Sequence, residues 1–157
     1  MTTLILSVFF SISASAYDVE VDGIYYDISG TTATVTSGNN KYSGDIVIPE
    51  SITYNNSKYS VTSIGKSAFY ICSSLTSVTI PNSVTWIGDW AFSGCENLKE
   101  IILYQTDPSK IKVSERSGLQ KEQITLYVPN EGVAAFQKDP FWSECAAIKS
   151  ITDDMLK

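Results

Sequence analysis

The chain has 157 residues, enough for one domain, with 11 basic and 17 acidic side chains and a net charge of −6. It contains no histidine, which excludes Ser-His-Asp and Cys-His nucleophile systems and histidine-ligated zinc. An acidic chain without a basic cluster is not expected to bind nucleic acid, and three cysteines cannot build a Cys₄ metal site. We therefore predict no metal and no cofactor.

The N-terminus has the features of a secretory signal peptide. Leu4 to Ile12 form an apolar run that is too short to span a bilayer as a helix. Ala14-Ser15-Ala16 matches the small-residue cleavage pattern, so we expect residues 1–16 to be removed and Tyr17 to begin the mature protein. The alternative is a buried N-terminal strand. No other stretch is long and apolar enough to predict a transmembrane span.

Residues 17–45 have the pattern of an antiparallel β cap. Ile24, Tyr26 and Ile28 alternate with polar residues, and the alternation resumes at Ala33 after a Ser-Gly turn. Alternation with a period of two is typical of strands that bury one face. This segment therefore predicts strands that cover one end of the fold.

Two consecutive stretches of the chain repeat at an offset of 23 residues. Val61 to Pro81 and Val84 to Tyr104 share Val, Ile-Gly, Ala-Phe, Cys and Leu. The matched pairs are Ile64 with Ile87, Gly65 with Gly88, Phe69 with Phe92, Cys72 with Cys95, and Leu75 with Leu98. A repeat of this length indicates a solenoid, in which each unit stacks on the next.

The repeat continues in weaker form on both sides. Upstream, Ile46-Val47-Ile48-Pro49 resembles Val78 to Pro81 across an insertion, residues 50–60, whose two asparagines predict a hairpin tip. Downstream, Ile124 to Tyr127 lies 23 residues after Ile101 to Tyr104. The unit between them lacks the Ile-Gly and Ala-Phe pairs, so residues 105–123 are expected to form a variable loop or an irregular arc.

The pattern I-G-x-x-A-F-x-x-C-x-x-L-x-x-[VI]-x-[IL]-P resembles the BspA-like leucine-rich repeat family of bacterial surface proteins. This resemblance implies a mainly β, short capped solenoid of about 23-residue repeats, with a parallel sheet on one face. The repeats would occupy residues 46–128. Leu126-Tyr127-Val128-Pro129 is similar to the segment that precedes a closing helix in this family, which implies a small helical cap over residues 129–157.

The repeat positions have structural roles in such a solenoid. Alternate strand residues would point inward, and the two phenylalanines would fill the core from the other side. The predicted inward residues are Val78, Ile80, Ile101, Leu103, Ile124 and Leu126. Gly65 and Gly88 are expected at tight bends with positive φ, and Asn130 is expected to cap the closing helix.

Cys72 and Cys95 occupy the same position in adjacent repeats. Stacked coils would bring their Cα atoms within disulfide range, and a secreted protein can form such a bond. The alternative is a pair of buried free thiols, because stacked side chains project in parallel and bridge poorly. The sequence leaves both open.

Two sets of residues are candidates for binding. Trp86 and Trp90 replace serines of the preceding repeat; they either pack on the flank of the solenoid or form an exposed aromatic pair for a protein or sugar. On the outward face of the sheet, Glu100, Ile102, Tyr104 and Tyr127 are expected together. An exposed isoleucine beside two tyrosines predicts a binding patch, unless the loop 105–123 folds over it.

No catalytic constellation is found, because the carboxylates form no spaced pair and no phosphate-binding or nucleophile motif is present. We therefore expect a non-enzymatic, secreted or cell-surface binding module of adhesion type. Its partner would be a protein or glycan on a host or neighbouring cell. The alternative is a structural module of a surface assembly without its own ligand; a glycan-binding protein or small hydrolase is less favoured.

Overall fold

The computed structural model describes residues 16–156, and the predicted signal peptide lies outside the described residues except for Ala16. The strands are β1 (Val19–Val21), β2 (Ile24–Ser29), β3 (Thr32–Thr36), β4 (Gly44–Val47), β5 (Ser51–Tyr54), β6 (Ser57–Ile64), β7 (Leu75–Ile80), β8 (Trp86–Ile87), β9 (Glu100–Leu103), β10 (Lys112–Val113), β11 (Thr125–Val128) and β12 (Ala147–Ser150). The one α-helix of this part of the chain is α1 (Val133–Lys138). Short 3₁₀ helices span Pro108–Lys110, Lys121–Gln123, Asn130–Gly132, Trp142–Glu144 and Asp153–Leu156.

The strands form two sheets, one on each side of the core. The first, called the mixed sheet, has the order β1-β2-β3-β6-β8-β10, with β5 paired to β6. Strands β1 to β3 are antiparallel, whereas β3, β6, β8 and β10 are parallel to one another. The second, called the parallel sheet, has the order β12-β11-β9-β7-β4, and each of its pairs is parallel. The chain is therefore a mainly β solenoid.

Each coil of the solenoid runs from a mixed-sheet strand through an irregular arc to a parallel-sheet strand. Successive arcs are joined by backbone hydrogen bonds, such as Phe69 N to Ala91 O at 2.8 Å and Phe92 N to Ser117 O at 2.8 Å. These bonds satisfy the polar groups of an arc that belongs to neither sheet. Repetition of one local sequence thus produces one backbone path, stacked coil upon coil.

A column of aromatic rings runs along the solenoid inside the stack. Tyr17, Tyr25, Tyr42, Phe69 and Phe92 follow one another with ring centroids 4.5, 5.7, 4.8 and 5.1 Å apart. The two phenylalanines are 0% and 1% exposed, as the repeat pattern predicts. The antiparallel strands at the N-terminal end therefore extend the same core instead of forming a separate one.

Strands β5 and β6 form an antiparallel hairpin that projects from the mixed sheet. Its turn is Asn55-Asn56, with φ angles of 47° and 61°. Two consecutive positive φ angles are typical of a type I′ turn, which asparagine tolerates. The hairpin thus lies within the insertion that separates the first two strands of the parallel sheet.

The expectation of positive φ at the two repeat glycines is wrong, because neither is in the left-handed region. A Cβ on Gly88 would instead lie 2.9 Å from the backbone nitrogen of Lys66, and a Cβ on Gly65 would lie 3.1 Å from the carbonyl oxygen of Val35. Glycine is required here because adjacent coils approach too closely for any side chain.

Of the two possibilities for residues 105–123, a variable loop or an irregular arc, the structure shows an arc that contains a short strand. Strand β10 pairs in parallel with β8, so that Val113 stands beside Ile87 in the mixed sheet. The 23-residue offset from Ile87 selects Lys110 for that place, so this coil is longer than the one directly before it. Ser117 is 2% exposed and lies in the buried row of the arcs, where its carbonyl oxygen accepts a hydrogen bond from Phe92 N. The segment is a further coil of the solenoid.

The longer coil also shifts the register of the parallel sheet. Leu126 pairs with Ile101, and Tyr127 pairs with Ile102, so the predicted pairing of Ile124 with Ile101 is wrong. Ile124 is buried just before its strand, at the place that Leu98 takes one coil earlier. The side chains of Ile124 and Leu126 are both in the core, as predicted, but the residues that stand beside them in the neighbouring coil differ from the prediction.

The C-terminal residues pack on the last coil. Phe136 of α1 and Trp142 are 0% and 2% exposed, with ring centroids 5.9 Å apart, and β12 adds a strand beside β11. The prediction that Asn130 caps the helix is wrong. Asn130 begins a 3₁₀ helix, and α1 follows it directly with Gly132 as its N-terminal boundary and no side-chain cap.

Candidate functional site

The outward face of the parallel sheet carries two rows of side chains that the pairing register defines. One row is Asp45, Ser77, Glu100, Thr125 and Ala147, and the other is Val47, Thr79, Ile102, Tyr127 and Lys149. The alternate residues Val78, Ile101 and Leu126 are 0% exposed and point into the core. These two rows therefore form the sheet face on which we predicted the binding patch.

That patch is not arranged as the sequence predicted. Ile102 is 7% exposed, Tyr104 and Tyr127 are half-buried, and Glu100 is exposed. Tyr127 stands beside Ile102 and not beside Tyr104, because of the register shift. The prediction of an exposed isoleucine is wrong, since the face around Ile102 is covered.

A groove of about 610 Å³ lies on this face, next to the predicted patch. Its lining includes Val47, Thr79, Pro81 and Tyr104 from the sheet side, with Met155 and Leu156 from the C-terminal 3₁₀ helix. The segment that borders the groove is therefore the C-terminal one, and not residues 105–123, whose folding over the patch was the alternative to an open surface. Residues 105–123 are anchored at the edge, where Gln105 Nε2 donates to Asn82 Oδ1 at 3.1 Å.

The charges around the groove are mainly negative. Asp45 Oδ1 accepts hydrogen bonds from Ser77 Oγ at 2.7 Å and Thr76 Oγ1 at 2.9 Å, which hold the pKa of this carboxyl below its usual value. Among the described residues that line the groove, Glu50 alone carries a charge. Burial, followed by the negative charge and hydrogen bond of Glu100, raises the pKa of Tyr127, so this tyrosine remains neutral.

Trp86 and Trp90 are both exposed, each by 44%, and a binding role for them stays a prediction. They lie on different elements. Trp86 is on β8, between Ser63 and Lys112 of the neighbouring strands, whereas Trp90 is in the following arc under the ammonium group of Lys66, 4.8 Å from the ring centroid. Trp90 lines a cleft with Ser67, Tyr70 and Ser93, and Trp86 does not line that cleft.

Cys72 and Cys95 are free, buried thiols in the structure, so the disulfide alternative is not realised. The thiol of Cys95 donates to the carbonyl oxygen of Phe69 at 3.0 Å. Burial is the largest cause that raises the pKa of Cys72, and it raises that of Cys95 to about 12. Protonated thiols at these positions are weak nucleophiles, which fits packing and not chemistry.

The repeat itself decides the family. A family model described as the BspA type leucine-rich repeat region matches residues 44–154 in six copies. The chain belongs to this family. The six copies extend over residues 105–123 as well, in agreement with the additional coil described above. No curated protein matches the chain significantly.

Solved structures of leucine-rich repeat proteins share the fold. A leucine-rich cell surface protein from Faecalibacterium prausnitzii is 24% identical, with a TM-score of 0.54 over 87% of this chain and 43% of that one. A leucine-rich repeat protein from Bacteroides capillosus is 25% identical, with a TM-score of 0.53 over 85% of this chain and 98% of that one. One from Bacteroides ovatus is 23% identical, with a TM-score of 0.55 over 88% and 42%. This chain thus spans less than half of two of these relatives.

The sequence analysis did not identify several exposed residues that the structure places at the groove and on the arcs. Val47, 65% exposed, and the C-terminal Leu156, 59% exposed, border the groove, but no pattern in the sequence connects them. Tyr70, 42% exposed, lies in the arc one coil before Trp90. A comparison of the positions at which the two repeats differ would have found Tyr70, because the corresponding residue in the next repeat is a serine, Ser93. Within residues 16–156, no helix has the length and apolar character needed to cross a membrane.

Proposed function

We propose that this chain is a non-enzymatic protein-binding module that holds its partner in the groove on the parallel sheet. The groove carries the proposal. It is large enough for apolar side chains of a partner, and it combines exposed Val47 with Pro81 and Tyr104. Tyrosine provides contact area at a low cost in conformational entropy. A membership in the leucine-rich repeat family supports a protein-interaction role in general, and the groove supplies a specific place for it.

The partner that fits this groove is a protein segment with apolar anchors and basic side chains. Glu50 borders the apolar lining, and Asp45 and Glu100 are exposed on the same sheet face. The chain as a whole carries a net charge of −6. Complementary charge accelerates encounter and fixes orientation, and it makes binding depend on salt. A basic segment is therefore favoured over an acidic one.

The binding experiment uses the purified mature chain and a panel of extracellular matrix proteins, measured by biolayer interferometry at two salt concentrations. Val47→Asp and Tyr104→Ala should each weaken binding at least tenfold, or about 1.4 kcal/mol. Glu50→Lys should slow association most at low salt. Tyr54→Ala is the matched control, since Tyr54 is 40% exposed next to the hairpin turn and does not line the groove. Binding that all three groove variants leave unchanged would contradict the groove as the site.

The location we propose is the cell surface or the extracellular space. The segment Leu4 to Ile12 with Ala14-Ser15-Ala16 supports it, and so does the description of the F. prausnitzii relative as a cell surface protein. Mass spectrometry of secreted material tests it, with Tyr17 as the expected N-terminus. Recovery of the exported protein with Met1 intact would disprove the predicted cleavage. Adhesion to a host or neighbouring cell is the role that such a location favours.

A second candidate is a structural module of a larger surface assembly without its own ligand. Its supporting observation is length, because the chain spans 43% and 42% of two relatives. Sedimentation analysis separates the two functions. Self-association through the ends of the solenoid, with no binding to any panel member, would favour the structural module.

A further inference from the structure

A cleft between two arcs has the composition of a sugar-binding site. It measures about 400 Å³ and is lined by Ser67, Tyr70, Trp90 and Ser93. Tyr70 and Trp90 are 42% and 44% exposed, so two large aromatic rings face solvent beside two serines. We propose that this cleft binds a neutral sugar ring. The cleft is separate from the groove on the parallel sheet and shares none of its lining.

The cleft arises from two repeat positions whose residues are exchanged between adjacent coils. Ser67 in one coil corresponds to Trp90 in the next, and Tyr70 corresponds to Ser93, both at the 23-residue offset. Each coil therefore contributes one aromatic residue and one serine, in opposite order. Because adjacent coils stack, the two rings lie diagonally across the cleft, with a serine of the neighbouring coil next to each.

The backbone around the cleft is held in place by hydrogen bonds between the two arcs. Ser67 N donates to Asp89 O at 2.9 Å, and Ile71 N donates to Ser93 O at 2.7 Å. Trp90 N donates to Arg116 O of the following coil at 2.7 Å. The rings are thus mounted on a rigid scaffold, which reduces the entropy lost when a ligand binds.

The side chain at Trp90 is not explained by the fold. Trp90 has a φ of 55°, and Ser67 has 58° at the same repeat position, so the left-handed conformation belongs to the repeat. A bulky residue is rare in this conformation, and serine suffices for it one coil earlier. Since the indole is exposed, it adds little to the core. The observation that remains is an aromatic ring presented to solvent at a constrained position, which is typical of a ligand site.

The chemistry of the lining selects a neutral sugar. Sugars have apolar C–H faces that stack on aromatic rings and hydroxyls that exchange hydrogen bonds with serine, which both donates and accepts. The four lining residues carry no charge. Lys66 and Lys41 lie over the rings of Trp90 and Tyr70, at 4.8 and 5.8 Å from the centroids, but neither lines the cleft. The volume falls in the range of small-molecule sites.

Tryptophan fluorescence tests the proposal with the mature chain. The probes are glucose, galactose, mannose and N-acetylglucosamine with their oligomers, and sialic acid serves as the anionic comparison. We expect saturable titration by at least one neutral sugar. Tyr70→Ala and Trp90→Asn should each weaken binding at least tenfold; asparagine is chosen because it tolerates positive φ. Ser67→Ala and Ser93→Ala should weaken it less.

Trp86→Ala is the matched control, because Trp86 is exposed to the same extent as Trp90 but lies outside the cleft. It should leave sugar affinity unchanged, and thermal melts should confirm that each variant folds. For Trp90→Asn, isothermal titration calorimetry replaces the lost fluorophore. Three results would overturn the proposal: no saturable binding of a neutral sugar up to about 50 mM, binding that Tyr70→Ala and Trp90→Asn leave unchanged, or binding of sialic acid alone. The groove variants should not alter sugar binding. The test of the sugar site is therefore independent of the test of the protein-binding groove.

Discussion

The rings of Phe69 and Phe92 stack with their centroids 5.1 Å apart and their planes 10° from parallel. They occupy the same repeat position in consecutive coils, and both are fully buried. The spacing of the rings therefore reports the stacking of the coils themselves. This pair continues the aromatic column that begins at Tyr17, so it connects the repeats to the N-terminal strands.

Removal of either ring should destabilise the whole solenoid. Phe69→Ala and Phe92→Ala should each lower the free energy of unfolding by about 3–5 kcal/mol, because a cavity remains where the ring was. Urea denaturation measures the change. Tyr70→Ala is the control in the same arc, and we expect it to change the stability by less than about 0.5 kcal/mol. Equal effects of the buried and exposed variants would contradict the assigned arc geometry.

Gly88→Ala should be destabilising although the backbone at Gly88 is not left-handed. The added methyl group would meet the backbone nitrogen of Lys66 at 2.9 Å and the carbonyl carbon of Gly65 at 3.1 Å, and neither can move without shifting the coil. We expect a loss of about 1–3 kcal/mol in a thermal or urea melt. Gly30→Asn is the control, because Gly30 has a φ of 58° and open space around it, and asparagine tolerates both. Wild-type stability of Gly88→Ala would mean that the coils are farther apart than described.

Two buried tyrosines should respond in opposite ways to loss of their hydroxyl. Tyr42 Oη donates to Thr36 O at 2.7 Å and accepts from Tyr25 N at 3.0 Å, whereas Tyr26 Oη has no hydrogen-bond partner within the described residues. Tyr42→Phe should therefore cost about 1–3 kcal/mol, because Tyr25 N loses its acceptor in the core. Tyr26→Phe should be neutral or stabilising. Urea denaturation of the two variants side by side checks this, and a larger loss for Tyr26→Phe would contradict it.

The cysteines should be unreactive in the folded protein. Burial raises the pKa of Cys95 to about 12 and that of Cys145 to about 11, and it raises the pKa of Cys72 as well. Iodoacetamide at pH 8 should label these thiols slowly in the native state and all three readily in urea, because only the thiolate reacts. Mass spectrometry under non-reducing conditions should find three free thiols. A Cys72–Cys95 disulfide in freshly purified protein would contradict this result.

The same thiols should make the fold less stable at alkaline pH. A thiol with a higher pKa in the folded chain keeps its proton while the unfolded chain ionises, so stability is full below the ordinary value of 9.0 and falls as pH rises toward about 12. Urea denaturation at pH 7 and pH 10 measures the difference. Cys95→Ala should reduce the alkaline loss, because alanine does not titrate. An unchanged pH dependence in this variant would show that Cys95 is not a source of it.

The repeats and the core could be predicted because each coil makes the same local contacts. Ile64, Phe69 and Leu75 recur at Ile87, Phe92 and Leu98, and identical side chains at a constant offset favour one backbone path. Such a repeat is visible in the sequence alone, so it can be recognised without knowing how the coils stack. Strand β10, within residues 105–123, was not predicted because the offset of this coil differs, and a fixed-offset comparison then aligns Lys110 in place of Val113.

The chain by itself determined the solenoid, the buried phenylalanines and the hairpin turn, since these follow from periodicity and from the φ preference of asparagine. Only the tertiary structure decided three other features: the contact that requires glycine at Gly88, the register that places Tyr127 beside Ile102, and the cleft between Tyr70 and Trp90. The physical reason is common to all three. Each depends on how neighbouring coils stack: the glycine contact and the cleft on the distance between coils, and the register on a coil whose length departs from the repeat.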